Sequence, residues 1–439
     1  MAGKTARWRV GAGIAAGAVL LTACTGSDDG SQDSTGNSAS ESGSLATGHD
    51  DKLDIGFIYD ESGPLGFLGA PQRAGIELAV SDINAAGGVN GQDVTLAIGD
   101  EAGAPHIVRE LAAQFVNENK DAVIGAAASG MSQEFIQLLH DSRTVQCSGT
   151  NTSTSFTNQD NNTYYYRTVP PDAAVAPLIA EWMVEEDNHS DIAVVSRNDD
   201  YGRALGDLIV DGVTSRDANP TRIEYDPTAE DFTDVVDKIV AADPDGVALI
   251  AFGESIPILT GALLEGMSAE QFYGGDGTFG TYVSGGVAGA LQEAGDTEAD
   301  VGAVAGMTVI GAAGTPEFND RLNGALPDGE KGNFIYGGQV YDCAIIVALA
   351  ATAADSTDPA VFHEHIEAQT KEGTKCTSYG ECAELLANGE DIDYDGVSGP
   401  LEITHPDPAV GGYAIATFQE DGTLGTEEQR PVDLTELGG

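Results

Sequence analysis

The chain has 439 residues, 41% of them hydrophobic and 57 of them glycine, which is ample material for a sizeable core. Its 71 acidic side chains against 19 basic ones leave a formal charge of −52. That charge repels nucleic acid and anionic membrane surfaces and argues against both as partners.

Lys4, Arg7 and Arg9 open the chain, and Val10–Leu21 is an uncharged run of 12 apolar and glycine residues. The run is shorter than the roughly 20 residues that span a bilayer. Small residues then lead into Cys24, the layout of a secretory signal. Leu21-Thr22-Ala23-Cys24 resembles the lipobox of bacterial lipoproteins. The resemblance implies a signal over residues 1–23, lipid on Cys24, and a protein held at the outer face of the cell membrane. From Thr25 to Lys52 almost every residue is polar, acidic or glycine, so 24–52 reads as a flexible acidic linker.

Structure is predicted to begin with a strand at Leu53–Tyr59, then a helix over Ala70–Ala86 ended by Gly87-Gly88. Further strands are expected at Val94–Ile98, Ala122–Ile124, Thr144–Cys147, Ile192–Val195, Gly246–Ile250 and Met307–Ile310. Helical patterns at Val108–Asn117, Ala173–Glu185, Phe232–Val240 and Ile256–Leu264 lie between them. Apolar runs separated by such helices predict an α/β class with parallel sheet buried on both faces. The length is too great for one such core, so two lobes are expected.

Ligands of open α/β sheets bind beyond the carboxyl ends of the strands. The segments to examine there are Gly125–Gly130, Ser148–Thr152, Asp199–Gly202 and Gly274–Gly277, all rich in Gly, Ser, Thr or Asp. With Cys24 set aside, four cysteines remain in an exported chain. Cys376 and Cys382 bracket a five-residue loop that a disulfide would close; Cys147 and Cys343 read equally as buried thiols or as a second bridge.

Several motifs together resemble the substrate-binding proteins of ABC transporters for leucine, isoleucine and valine, the type I periplasmic binding proteins. They are Asp82–Gly91, Val123-Ile124-Gly125 with Ser129, Tyr166–Pro170, Asp231-Phe232-Thr233 and Asp395–Pro400, in that order. The resemblance covers about Leu53 to Phe418. It implies two Rossmann-like lobes joined by three crossover strands, near Thr168–Asp172, Gly306–Ile310 and Thr404–Gly411. Lobe 1 would be 53–169 and 310–405, and lobe 2 would be 170–309 and 406–432.

Carried over by position, Ser129 and Thr152 resemble the residues that receive a ligand α-carboxylate, helped by backbone N–H groups at Ala127 and Asn151. Neutral hydroxyls and amides suit an anion in a dry cleft. Asp276 resembles the acceptor of an α-ammonium, and Tyr201 an aromatic clamp from the second lobe. Read alone, Asp276 between glycines is also an ordinary turn residue, and Ser129 or Thr152 an ordinary helix cap. Phe67-Leu68 and Phe252-Gly253-Glu254 depart from the branched-chain pattern at the selectivity end. Leu68 and Phe252 are therefore candidate contacts, and Glu254 is either a polar contact or an exposed loop carboxylate.

Other chemistries are weaker. Asp391–Gly396 with Glu402 has the spacing of an EF-hand loop, but Pro400 stands where a helix should follow and Leu401–Thr404 reads as a strand. His363-Glu364-His365 lacks the i, i+4 pair of a metalloprotease helix. No nucleotide fingerprint or nucleophile elbow occurs. The expectation is a monomeric, non-enzymatic binding protein, with no metal or cofactor, that closes on an amino acid and delivers it to an ABC permease. Alternatives are a ligand-sensing receptor of the same fold, or a binder of urea, short amides or aromatic acids.

Overall fold

A computed structural model describes residues 51–434, apart from 158 and 313. The stretch expected to be a signal, Cys24 and the expected linker through residue 50 lie outside the described residues. Among the described residues no helix is long and apolar enough to cross a membrane.

The first sheet has the order β2-β1-β3-β4-β5 and is wholly parallel. Its strands are β1 (Asp54–Tyr59), β2 (Thr95–Asp100), β3 (Ala122–Ile124), β4 (Val145–Ser148) and β5 (Tyr165–Arg167). Helices α1 (Gly69–Ala85), α2 (Pro105–Asn117), α3 (Ser129–Gln133) and α4 (Ile136–Ser142) connect them. β1 and β3 are apolar and buried, as central parallel strands must be.

The second sheet repeats this winding. Strands β6 (Asp191–Arg197), β7 (Asn219–Tyr225), β8 (Gly246–Ile250), β9 (Phe272–Gly274) and β10 (Thr308–Ala312) lie in the order β7-β6-β8-β9-β10. Helices α5 (Asp172–Glu181), α6 (Asp200–Thr214), α7 (Thr233–Ala242), α8 (Ser255–Leu264) and α9 (Tyr282–Glu293) accompany them. The helix expected over 173–185 gives way after Glu181 to a wider π turn at Trp182–Glu186.

The chain then returns to the first half as α10 (Pro316–Ala325), α11 (Gly337–Ala353), α12 (Pro359–Phe362) and α13 (Tyr379–Ala387). These pack with β1–β5 in one apolar core. α11 is buried from Gly337 to Ala351, and it crosses α1 so closely that a Cβ on Gly75 would fall 2.2 Å from the Gly337 carbonyl oxygen. Short strands β11 (Thr374–Cys376), β12 (Ile392–Gly396) and β13 (Gly399–Pro400) form a small sheet, and β14 (Ile403–Thr404) pairs with β15 (Asp407–Pro408). Finally β16 (Val410–Phe418) and β17 (Leu424–Asp433) add antiparallel to β10 at the edge of the second sheet.

The fold is thus two doubly wound α/β lobes, with the chain passing between them three times. β10 pairs with β9 at Thr308 and Val309 and with β16 through Ala312, so a lobe boundary at 310 falls inside a strand and the second passage comes after it. Disulfides join Cys376 to Cys382 and Cys147 to Cys343. The second of these ties the end of β4 to α11. The stretch with EF-hand spacing is the strand β12, whose Asp393 and Asp395 both pair with Lys375.

Candidate functional site

In each sheet the strand order reverses once, between β1 and β3 and between β6 and β8. Such switch points open a crevice at the carboxyl ends of the strands. The loops that follow those strands meet at one cavity between the lobes.

Three loops build the lobe 1 wall. After β1, buried Asp60 accepts the N–H groups of Gly63 and Leu65 and curls residues 60–68 into the cleft. After β3, the loop at 125–129 is fastened from every side. The Gln146 amide donates to the Gly125 carbonyl, and the Thr150 hydroxyl and Asn151 amide both donate to the Ala126 carbonyl. After β4, Ser148 Oγ accepts the N–H groups of Thr150 and Asn151. Arg167, fully buried, donates to the carbonyls of Asn151 and Ser153 at 2.7 and 2.8 Å. Such charge-assisted bonds make the 151–153 turn rigid.

The lobe 2 wall is aromatic. Asp199 caps α6 through the Gly202 N–H, which places Tyr201 in the first turn of the helix. Its ring stacks on Phe252 at 5.1 Å and 7°. The Arg197 guanidinium lies 3.8 Å from the centre of the Phe252 ring. Glu254 is neither an exposed loop carboxylate nor a cavity wall: it is buried, 2.8 Å from Arg197 and 3.0 Å from the Tyr225 hydroxyl.

Of the residues singled out in the sequence, Leu68, Ala127, Ser129, Thr152, Tyr201 and Phe252 line the cavity. Leu65, Thr150, Gly277 and Tyr336 line it as well. Asn151 and Asp276 stand just behind it, each next to a lining residue. The backbone N–H groups of Ala127 and Asn151 are not free for a ligand, because Glu101 and Ser148 Oγ already accept them. The hydroxyls of Ser129 and Thr152 are the polar groups that lobe 1 presents. The cavity measures about 20 Å³, the room of about one water. A larger molecule enters only if the walls part.

Carboxyls dominate the electrostatics behind the wall. Burial pushes Asp276 up to about 6, although the Ala312 N–H and the Tyr336 hydroxyl favour its charge. Asp172, first residue of α5, is pushed up to about 8 by burial and then by the Asp276 charge. Glu101 reaches about 8 for the same two reasons, its charged neighbour being Asp60. Asp172, Glu101 and Tyr336 were not legible as site residues. Nothing in a single sequence marks a lone carboxyl as buried, and Tyr336 arrives from a distant helix start.

A wider hollow of about 500 Å³ lies on lobe 1 between Tyr59, Arg73 and Glu330. Its Arg73 is already shared between Glu61 and Glu77.

Residues 52–422 match the family model described as periplasmic binding protein. The chain is 26% identical over 381 residues to the chemotactic signal transduction system substrate-binding protein BasB of Halobacterium salinarum, covering 84% of this chain and 87% of that one. It is 27% identical over 376 residues to Leu/Ile/Val-binding protein homolog 1 of Brucella abortus, covering 83% and 90%. In structure it is similar to the leucine-binding protein LivK of Thermotoga maritima, with a TM-score of 0.71 at 16% identity over 88% of this chain and 99% of that one. With this match and two doubly wound lobes meeting at a shared cleft, the chain belongs to the periplasmic binding protein family, type I.

Proposed function

We propose that this protein is the extracytoplasmic solute-binding component of an ABC importer, lipid-anchored through Cys24, which captures an amino acid or close analogue and hands it to the membrane permease. The observation that carries this reading is the polarity of the cleft. The hydroxyls of Ser129 and Thr152 stand on the lobe 1 side, suited to a carboxylate, while the buried carboxyl of Asp276 lies behind Gly277, suited to an ammonium. Tyr201 and Phe252 supply an apolar aromatic surface for the ligand's side chain. The named relatives include a Leu/Ile/Val-binding homolog, which favours a branched-chain or related amino acid. No covalent chemistry is required of the protein.

A thermal-shift screen over amino acids, urea and short amides, and aromatic acids tests the reading, because a ligand that binds the folded state raises the melting temperature by mass action. Amino acids should shift it. A shift with amides or aromatic acids alone would overturn the zwitterion reading.

A second reading has one observation in its favour. The Halobacterium relative is named for chemotactic signal transduction, and a receptor role would use the same closure to engage a signalling partner. Uptake of a labelled amino acid separates the two: it falls when a transport component is deleted and stays unchanged for a sensor.

A further inference from the structure

We propose that the hollow between α7, α8 and α9 of lobe 2 is a second ligand site, for a linear polyamine, a chain of methylenes with an ammonium group at each end. It shares no residue with the cavity between the lobes. The proposal therefore stands apart from the amino-acid reading.

α8 lacks the polar face of a surface helix. Ser255–Leu264 holds no charged residue, whereas a helix at a protein surface ordinarily turns charged or polar side chains to water. Pro257, Gly261 and Leu264, at i, i+4 and i+7, form one stripe along it. Pro257 is exposed, and Leu264, at 56%, is the most exposed large hydrophobic side chain among the described residues. A Cβ on Gly261 would fall 2.7 Å from Val236 Cγ2. α7 and α8 thus almost touch there, and both residues line a hollow of about 400 Å³. That is the size of a small-molecule pocket.

The wall also holds a buried group without a partner. Thr260 lines the hollow and is only 7% exposed, and its hydroxyl makes no hydrogen bond. A helical threonine can bond back to the carbonyl four residues earlier, and this one does not. Buried polar groups are almost always paired, so an unmatched hydroxyl in the wall of a hollow points to a partner from outside.

The rim is acidic. Glu230, Asp231, Asp237 and Glu265 line it, all are exposed, and no basic side chain joins them. Lys238, the neighbouring base on α7, stays outside the lining. α7 and α8 each return from the carboxyl end of a strand in one parallel sheet, so they run in the same direction. Glu230 and Asp231 precede α7 and Glu265 follows α8. Carboxylates therefore stand at both ends of the hollow, with the apolar stripe between them. From Pro257 to Leu264 the helix advances roughly 10 Å. An inorganic cation uses the carboxylates but not the stripe, and an alkyl monoamine uses the stripe but only one end. A linear polyamine uses both ends and the stripe.

Isothermal titration of the protein with spermidine tests this, beside magnesium at matched ionic strength. One spermidine should bind per protein, more tightly than magnesium, with affinity falling as salt is raised. Asp237→Asn and Glu265→Gln together should weaken it by about fivefold or more, as the loss of exposed ion pairs does. Leu264→Ser should weaken spermidine and leave magnesium unchanged. Thr260→Val should weaken spermidine without lowering the melting temperature, because the hydroxyl it removes is unpaired. Asp276→Asn, in the cleft between the lobes, should leave spermidine affinity unchanged. Asp237, Leu264 and Glu265 are exposed, so their variants keep the test open even where a buried one fails to fold. Equal affinity for the two cations, or binding unchanged in Leu264→Ser and in the rim variant, means diffuse attraction to an acidic surface and overturns the proposal. Loss of binding in Asp276→Asn places the polyamine in the cleft and overturns it as well. So does a failure of spermidine to bind, whether the face then takes a basic amphipathic peptide or pairs two copies in a dimer that Leu264→Ser dissociates.

Discussion

Arg167 Nε and Asp407 Oδ1 lie 2.6 Å apart although 240 positions separate them in the chain. Arg167 ends β5 just before the first passage between the lobes, and Asp407 sits in β15 on the third. The pair thus pins two of the connecting segments together, while the same guanidinium braces the 151–153 turn of the cleft. Removing one partner of a buried pair leaves the other charge uncompensated, a loss of about 3–5 kcal/mol. Arg167→Ala should therefore lower unfolding stability by about that amount in a denaturant titration. Arg167→Lys should rescue little, since one ammonium cannot reproduce the fork of donors. Stability near wild type for either variant would contradict the bracing role.

Phe252 is held by Tyr201 at 5.1 Å and by Arg197 at 3.8 Å, so it is a fixed wall. Phe252→Ala should cost about 3–5 kcal/mol of stability, as truncating buried aromatics does. It should also lower affinity for the best amino-acid ligand more than tenfold. Tyr201→Phe keeps the stack and removes only the hydroxyl. It should leave the melting temperature nearly unchanged and weaken binding by a few fold, about the worth of one hydrogen bond. Calorimetry on both variants separates the apolar from the polar contribution; equal affinity losses would refute the division.

The two disulfides close loops of very different length, with sequence separations of 196 and 6. Loop-closure entropy makes the Cys147–Cys343 bridge worth more, within a range of about 2–5 kcal/mol. Replacing Cys147 and Cys343 together by alanine should lower the melting temperature further than replacing Cys376 and Cys382. It should also weaken ligand binding, because the lost bridge joins the start of the Ser148–Thr152 loop to α11, which begins beside Tyr336. The reverse order of melting temperatures would count against this.

Glu101 has a defined pH signature. Burial, and then the charge of Asp60, raise its carboxyl from 4.5 to about 8. The folded state therefore binds this proton more tightly than the unfolded chain does. The favourable contribution is complete below about 4.5 and is lost as pH rises through about 8, at roughly 1.4 kcal/mol per pH unit between those values. Glu101→Gln keeps an acceptor for the Ala127 N–H and removes the charge. It should change stability little at pH 4 and raise it at pH 8. Denaturant midpoints at the two pH values decide the matter; a variant less stable at pH 8 would show that the carboxylate is tolerated.

Closure leaves its own marks. Phe67 stacks on Tyr282 across the cleft with ring centres 3.9 Å apart, and the Ser155 hydroxyl donates to Asp200 at 2.9 Å. A cavity with room for about one water must open to admit an amino acid and then shut on it. Small-angle scattering should show a smaller radius of gyration with ligand than without. Phe67→Ala should enlarge the ligand-free radius and speed ligand release.

How far the sequence reaches follows from where a local pattern exists. β3 at Ala122–Ile124 and β8 at Gly246–Ile250 have the bounds read from the sequence, because central parallel strands are short apolar runs edged by turn residues. The Gly-, Ser- and Thr-rich loops beyond them were legible as cleft material, since doubly wound sheets use those loop positions for ligands. α11 was not, because a helix buried from Gly337 to Ala351 carries no polar stripe and hence no period. Nor was β17, a charged edge strand whose polarity hides it. Tertiary structure alone decided that Cys147 meets Cys343, that Glu254 turns inward to Arg197, and that the N–H groups of Ala127 and Asn151 are already taken. It alone set Asp172 beside Asp276. Burial and side-chain pairing of this kind depend on how the two sheets and their loops pack, and no hydrophobic period or turn motif in the sequence encodes them.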